Sequence, residues 1–385
     1  MNLEEVKRRV GQSDYEHYPL PLETIVVEKG ALKQAVDYIE GGGVKDVLLV
    51  ADVNTHLAAG EEVVRLCKGT NVIVKVHLLT PNPQSDVIAD EATLVDLLLS
   101  VKGETEMLLA VGAGTIHDVV RFVSAKVKRP FLSIPTAPSV DGFTSLGAPL
   151  VIKGVKTTYQ MVAPVALFAD VEVLQQAPTE LIAAGFGDML GKYTSLMDWK
   201  VGHLTEGEPY SPLVAELTEE ALRSAVDNAE AIGRRSAEGI AILMESLLLS
   251  GVAMALFGHS HPASGAEHHL SHYWEMDALK NEKKQMLHGA KVGLSTQVII
   301  DFYKRTIQPQ LLQVNQENAE ELSSLVESLP EAREIRALLQ KVGWSEELVP
   351  VDQALIEESL VNAYHLRDRS TLMRCYREAK MKHSL

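Results

Sequence analysis

Between Thr24 and Pro135 short apolar runs alternate with stretches whose apolar residues recur three and four positions apart. The runs are rich in Val, Leu and Ile and end at turn residues. They predict buried strands at Thr24–Val27, Val47–Ala51, Val72–Leu79, Met107–Val111 and Phe131–Ile134. The intervening periodicity predicts helices at Ala31–Glu40, Thr55–Cys67, Glu91–Val101 and His117–Ala125. Strands and helices alternating on this scale form βαβ units, and hence a largely parallel sheet.

After Pro135 the pattern changes. Residues 135–160 are mostly small or turn-forming and predict a loop followed by a hairpin, and Ala166–Ala169 predicts one last strand. From Pro178 onward only helical periodicity remains, at Thr179–Val201, Leu217–Glu238, Ile240–Phe257, Ala266–Met276, Gly289–Lys304, Ala319–Leu329, Ala332–Lys341 and Gln353–Tyr364. At 385 residues the chain is long for one core. The expected organisation is an α/β domain over residues 1–170 followed by an all-helical domain over 171–385, with the cleft between them as the place for a ligand.

Charge narrows the partners. Lys and Arg number 36 against 52 Asp and Glu, a formal net charge of −16, so the outer field repels nucleic-acid backbones and anionic membranes. A small anionic substrate stays compatible, because local cations and helix N-termini can override the global sign at one site. Cys67 and Cys375 cannot form a disulfide framework, and the first twenty residues lack the apolar core of a signal peptide, so a cytoplasmic protein is expected. The most apolar stretch, Ile240–Gly258, carries Glu245 and two serines, which suits a core helix or a subunit interface better than a membrane span.

The densest chemistry lies between His259 and His288, where six of the 13 histidines fall: His259, His261, His268, His269, His272 and His288. His268 and His272, four apart, share one helix face. Imidazole is the commonest ligand for borderline divalent metals. Exposed polar helix residues are the plainer reading of any one of them. Asp188 stands in the apolar, small-residue segment AAGFGDMLGKYTSLMDW and needs a cation if buried; Lys192, one turn on, is the simplest partner. Asp188, His268 and His288 together offer three ligands with coordination positions left over, the pattern of a catalytic metal site.

In the α/β part, strand MLLAV runs into GAGTIHD, whose Gly112 and Gly114 would let a pyrophosphate approach the following helix N-terminus. A tight turn accounts for these glycines almost as well, and His117 stands where the dinucleotide fingerprint has a third glycine. Asp52 follows strand VLLVA, either gripping a ribose or capping the next helix. Thr136, Ser139, Asp141 and Ser145 form a polar run beyond a strand end, which is a ligand-binding position or an ordinary turn.

GAGTIHD, PTAPSVDGFTS, AGFGDMLGKYTSLMDW, SGAEHHLSH and HGAKVG, in this order and at these spacings, resemble the sn-glycerol-1-phosphate dehydrogenases, especially their bacterial branch. That family lies within the group holding glycerol dehydrogenase, iron-type alcohol dehydrogenases and dehydroquinate synthase. The resemblance spans roughly residues 24–300. It implies a Rossmann-like domain, a helical domain, and metal- and NAD(P)H-dependent, reversible reduction of dihydroxyacetone phosphate to sn-glycerol 1-phosphate. It assigns Gly114, Thr115, Ile116, His117, Asp118, Thr136, Ala137, Pro138, Ser139 and Ser145 to the nucleotide, with Asp52 at the adenosine ribose. Asp141 and His272 would face the substrate, joined by Asp188, and Asp188, His268 and His288 would hold the metal, nickel or zinc. A homodimer and a place in phospholipid metabolism are also implied. Two positions depart from the family pattern: Ala113 stands where a third consecutive glycine is common, and Arg121 where a lysine is. A related polyol dehydrogenase or a lyase like dehydroquinate synthase is the alternative, the latter disfavoured because no Arg- or Lys-rich pocket motif is evident in the helical part.

Overall fold

The structure, a computed structural model, describes residues 1–367 and 369–383. The apolar runs pair as one six-stranded sheet made of β1 (Thr24–Glu28), β2 (Asp46–Ala51), β3 (Ile73–Leu78), β4 (Met107–Gly112), β5 (Phe131–Pro135) and β8 (Ala166–Asp170). Its order is β1-β8-β5-β4-β2-β3, and every pair is parallel. Successive residues of the central strands bury opposite faces. Leu49, Val111 and Leu132 pack with the helix Ala31–Gly41, while Leu48, Val50 and Leu108 pack with Glu91–Ser100 and Gly114–Val127. A sheet covered on both sides therefore reads as continuous apolar runs. Two further strands, β6 (Gly147–Ile152) and β7 (Val155–Gln160), form the expected hairpin.

Topology decides where a ligand can bind. From β2 the chain crosses to β3 at the sheet edge, then returns to lay β4 on the other side of β2. The crevice beyond the C-terminal ends of β2 and β4 is thus a topological switch point, and it brings Asp52 and the Gly112–Gly114 turn side by side.

Beyond β8 the described chain is helical. Where the periodicity suggested one helix over Thr179–Val201, there are two, Thr179–Leu190 and Lys192–Glu206, meeting at Gly191. The stretch Leu217–Glu238 likewise breaks after Asp227 and again at Arg235, whose positive φ of 55° cannot continue a right-handed helix. Helix Gly114–Val127 begins three residues before its predicted start, directly on the end of β4. Residues 53–67 form a short helix behind Asp52, a wider π-type segment at His56–Gly60, and then Glu61–Cys67.

The apolar helix Ala237–Phe257 meets a membrane-span criterion of length and composition, yet 78% of its most apolar window is buried inside the protein. Its hydrophobicity fills the core, so it offers little face to a partner subunit, contrary to the interface role considered from sequence. Helix Leu3–Gly11, absent from the sequence-based elements, packs Leu3 and Val6 against Trp199, Val214 and Phe257. The first residues of the chain thus lie on the helical part, although they precede the first strand. A C-terminal helix, Leu372–His383, was also not anticipated.

Candidate active site

Two close backbone approaches set the site. The helices Thr179–Leu190 and His288–Phe302 meet so tightly that a Cβ on Gly289 would lie 1.9 Å from the Ala184 carbonyl oxygen. A Cβ on Gly185 would likewise lie 1.9 Å from the carbonyl oxygen of Pro138. Glycine permits both contacts. The first brings His288 beside Asp188, and the second draws the loop after β5 onto the same helix. Between the two parts of the chain lies a cleft of about 480 Å³, lined among others by Asp52, Gly114, Asp141, His268, His272 and His288.

The metal candidates converge. Nε2 of His268 lies 3.9 Å and Nε2 of His288 4.0 Å from Asp188 Oδ1, and the three ligand atoms fall within 4.8 Å of one another. Two metal–ligand bonds of about 2.1 Å span at most about 4.2 Å, so Asp188 can share an ion with either imidazole at these separations. His268 is aimed from behind: its Nδ1 lies 2.7 Å from Glu267 Oε1, leaving Nε2 with a free lone pair. Glu267 is itself fixed by Thr194 Oγ1 and the Gly265 amide, both donating at 2.5 Å. A carboxylate behind a histidine in this way sets the tautomer that a metal requires. Burial, reinforced by neighbouring cations, holds His288 down to about 3 and His268 well below its usual value, so both rings are neutral at physiological pH.

Asp188 also meets Lys192, as the simpler reading anticipated. Lys192 Nζ lies 3.2 Å from Asp188 Oδ1 and 2.8 Å from Asp141 Oδ2. Burial works against the lysine's charge, but the two carboxylates outweigh it and raise its pKa. Asp141 is pushed up by burial and by the Asp188 charge, and it accepts from Ser250 Oγ at 2.9 Å while its amide donates to Asp188 Oδ2 at 3.0 Å. Two carboxylates around one ammonium leave a surplus negative charge in an enclosed place, which favours a cation beside the histidines. The neutral nitrogen pair and single carboxylate thus fit a divalent ion.

His272 lines the same cleft, its ring centroid 6.4 Å from that of His268 and 6.3 Å from that of His288. Burial and then the charges of Arg367 and Lys156 hold it well below its usual pKa. His259 also lines the cleft, whereas His261 and His269 do not, and His269 is fully buried. The six clustered histidines therefore do different work.

On the nucleotide side, Asp52, Gly114, Thr115, Ile116, Asp118, Ser139 and Ser145 line the cleft. Ala113 caps helix Gly114–Val127 with no side-chain bond, which leaves first-turn amides for an anion. Asp52 caps the next helix, accepting from the Thr55 amide at 2.8 Å, as its capping reading expected, and it also lines the cleft. The His117 ring faces away from the cleft. Its Nδ1 is 2.9 Å from the Ala113 carbonyl oxygen and its Nε2 2.7 Å from Ser133 Oγ. Thr136, Ala137 and Pro138 are also absent from the residues that line the cleft. Arg121, at the position where a lysine is common, is buried and pairs with Asp118 at 2.8 Å. It also donates to the carbonyls of Gly142 and Gly147, pinning the loop that carries Asp141 and Ser145.

Several cleft residues carried no role in the sequence reading. Lys156, on β7, and Lys291 both pair with Glu275, at 2.7 and 3.0 Å. Arg367, from the motif-free region, also lines the cleft. Lys291 and Glu267 stand inside motifs already noted, where proximity to the histidines could have flagged them. Arg367 lies some eighty residues from the nearest motif, and no local signal marks it.

These features define a class: a parallel nucleotide-type sheet joined to a helical domain, with Asp188, His268 and His288 brought together, the architecture of the iron-type alcohol dehydrogenases. The profile of the family described as iron-containing alcohol dehydrogenase matches residues 26–178. The fold resembles a glycerol dehydrogenase from Schizosaccharomyces pombe (TM-score 0.66, 16% identity, 94% of this chain and 90% of that one). It also resembles a sulfoacetaldehyde reductase from Bifidobacterium kashiwanohense solved with NAD+ (TM-score 0.67, 17% identity, 96% and 98%). Curated relatives named glycerol-1-phosphate dehydrogenase, NAD(P)+, are far closer. That of Geobacillus thermodenitrificans is 46% identical over 95% of both chains, and that of Bacillus subtilis is 40% identical over 98% of this chain and 96% of its own. The chain belongs to the glycerol-1-phosphate dehydrogenase family.

Proposed function

We infer that the protein is an NAD(P)-dependent oxidoreductase catalysing the reversible reduction of dihydroxyacetone phosphate to sn-glycerol 1-phosphate. The observation that carries this is identity of 40–46% over nearly the whole chain to relatives named for that activity, in a protein that brings ligand atoms of Asp188, His268 and His288 within 4.8 Å of one another. When bound, NAD(P)H supplies the hydride, and a divalent ion supplies Lewis-acid stabilisation of the charge that gathers on the ketone oxygen.

The chain's own part is holding and orienting. Asp188, His268 and His288 would hold the ion, with Glu267 fixing the His268 ring. The uncapped first turn of Gly114–Val127 would receive the pyrophosphate, Ser139 and Ser145 would flank it, and Asp52 would accept from the ribose hydroxyls. Asp141 and His272 would hydrogen-bond the substrate hydroxyl groups. Being neutral, His272 can both donate and accept a proton on its two ring nitrogens.

The donor set suits zinc or nickel, and likeness to the bacterial branch favours nickel. We take residues 1–170 as the nucleotide domain and 171–385 as the metal and substrate domain, and place the enzyme in the cytoplasm as a homodimer serving phospholipid metabolism. Metal analysis of the native protein and its mass in solution test the metal and the dimer. The activity itself is tested by assaying metal-replete enzyme with NADH on two ketones. Dihydroxyacetone phosphate should be reduced far better than dihydroxyacetone, whereas equal specificity constants would place the protein with the glycerol dehydrogenases.

A further inference from the structure

Two side-chain cations line the cleft, and they differ in how their charge is met. Lys156 is paired with Glu275 at 2.7 Å. Arg367 has no carboxylate partner among the described residues. Its guanidinium is held instead by two neutral hydroxyls, Ser264 Oγ on Nη1 and Ser260 Oγ at 3.0 Å on Nη2. Both serines line the cleft as well. A guanidinium has five N–H donors in a planar fork, and two hydroxyl acceptors leave most of them without an acceptor.

Arg367 is partly buried, and burial together with the charge of Arg369 lowers its pKa to about 10, which still leaves it cationic at neutral pH. A cation drawn out of water normally ends against a carboxylate or another anion. Here the hydroxyls fix the orientation of the fork without neutralising it. In a protein of net charge −16, a pre-aimed arginine without a directly paired carboxylate among the described residues is a local exception.

We propose that Arg367, oriented by Ser260 and Ser264, is the anchor for the phosphate of the substrate and sets the preference for a phosphorylated ketone. The inference rests on the reading of the substrate as a phosphoketone. A fork of parallel N–H groups matches two phosphate oxygens, which an ammonium cannot do. The serine hydroxyls are free to turn their own protons toward the same anion. The phosphate would then sit at the helical side of the cleft, leaving the ketone to face His272 and the metal trio.

The test compares wild type, Arg367→Gln, Arg367→Lys and the Ser260→Ala/Ser264→Ala double variant, all metal-replete and with saturating NADH. For Arg367→Gln, kcat/KM for dihydroxyacetone phosphate should fall about a hundredfold or more, mainly through KM, the scale for removing a charged anchor. Activity on dihydroxyacetone should change by no more than a few fold. Inorganic phosphate should inhibit wild type competitively against the ketone and lose at least tenfold in affinity in Arg367→Gln. Arg367→Lys should recover part of both losses. The serine double variant, which leaves every charge in place, should fall between wild type and Arg367→Gln; it decides the matter should Arg367→Gln not fold. Equal losses on the two ketones, or phosphate inhibition unchanged by the substitutions, would overturn the proposal. If wild type itself treats both ketones alike, the substrate reading fails separately. Phosphate competition would then still decide whether Arg367 is an anion site.

Discussion

Asp52 carries two duties that pull a mutational test in different directions. Its carboxylate accepts from the Thr55 amide, and the Thr55 hydroxyl oxygen in turn accepts from the Asp52 amide at 3.0 Å, a reciprocal cap on the helix that follows β2. The same side chain lines the nucleotide side of the cleft at the switch point. Replacing it with alanine would remove cap and charge together. Asp52→Ser keeps a capping oxygen and removes only the charge. If the carboxylate accepts from the ribose, it repels the extra phosphate of NADPH, and Asp52→Ser should raise kcat/KM for NADPH relative to NADH by about tenfold with little change in melting temperature. A preference that stays put, in a variant as stable as wild type, would leave Asp52 as a cap alone. Legibility at this scale followed locality. Asp188, His268 and His288 could be proposed because each sits in a distinctive short motif. The Lys156–Glu275 pair and Arg367 could not, since their meaning arises only when remote segments meet.

The elements were legible where periodicity was long, and their ends were set by features periodicity does not record. The strands match their apolar runs to within a residue or so; the central ones, β2, β4, β5 and β8, are buried along nearly their whole length, and even the more exposed edge strand β3, which carries Lys75 and His77, keeps enough apolar residues to be read. The break at Gly191 was invisible because the apolar positions continue across it. The packing of Thr179–Leu190 on His288–Phe302 is likewise an element-level property, made possible by missing side chains. Gly289→Ala would push a methyl into the Ala184 carbonyl, which must yield or separate the helices. Overpacking of this kind costs about 1–3 kcal/mol, occasionally more. The displacement would fall on His288 and Asp188, so metal affinity should drop at least tenfold along with a lowered melting temperature. Isothermal titration of the chelated protein with metal reads the first, and calorimetry the second. Full metal affinity in a destabilised variant would show that the site tolerates the helices moving apart.

For the whole molecule, the cleft depends on groups from both parts of the chain. Lys156 reaches from the hairpin to Glu275, the Asp141 amide donates to Asp188, and Thr144 Oγ1 donates to the Leu248 carbonyl at 3.0 Å. The proposed ligands come from three helices, Thr179–Leu190, Ala266–Lys280 and His288–Phe302, so an ion held by them ties distant parts of the sequence together. Binding to the folded state alone adds stability that grows with free metal, about 2.7 kcal/mol at a hundred times the dissociation constant. Melting temperature should therefore rise as nickel or zinc is titrated into chelator-stripped wild type, and fall again on adding chelator. His268 and His272 then separate, although they share a helix face. His268→Ala removes a ligand, so the metal-induced rise and the activity should vanish together. His272→Ala should keep the rise, with metal content near wild type, while kcat/KM for dihydroxyacetone phosphate drops about a hundredfold or more for want of a positioned hydrogen-bonding group. A His272→Ala protein that arrives metal-free and regains full activity in excess metal would reverse the two assignments, since only a ligand's loss is repaired by mass action.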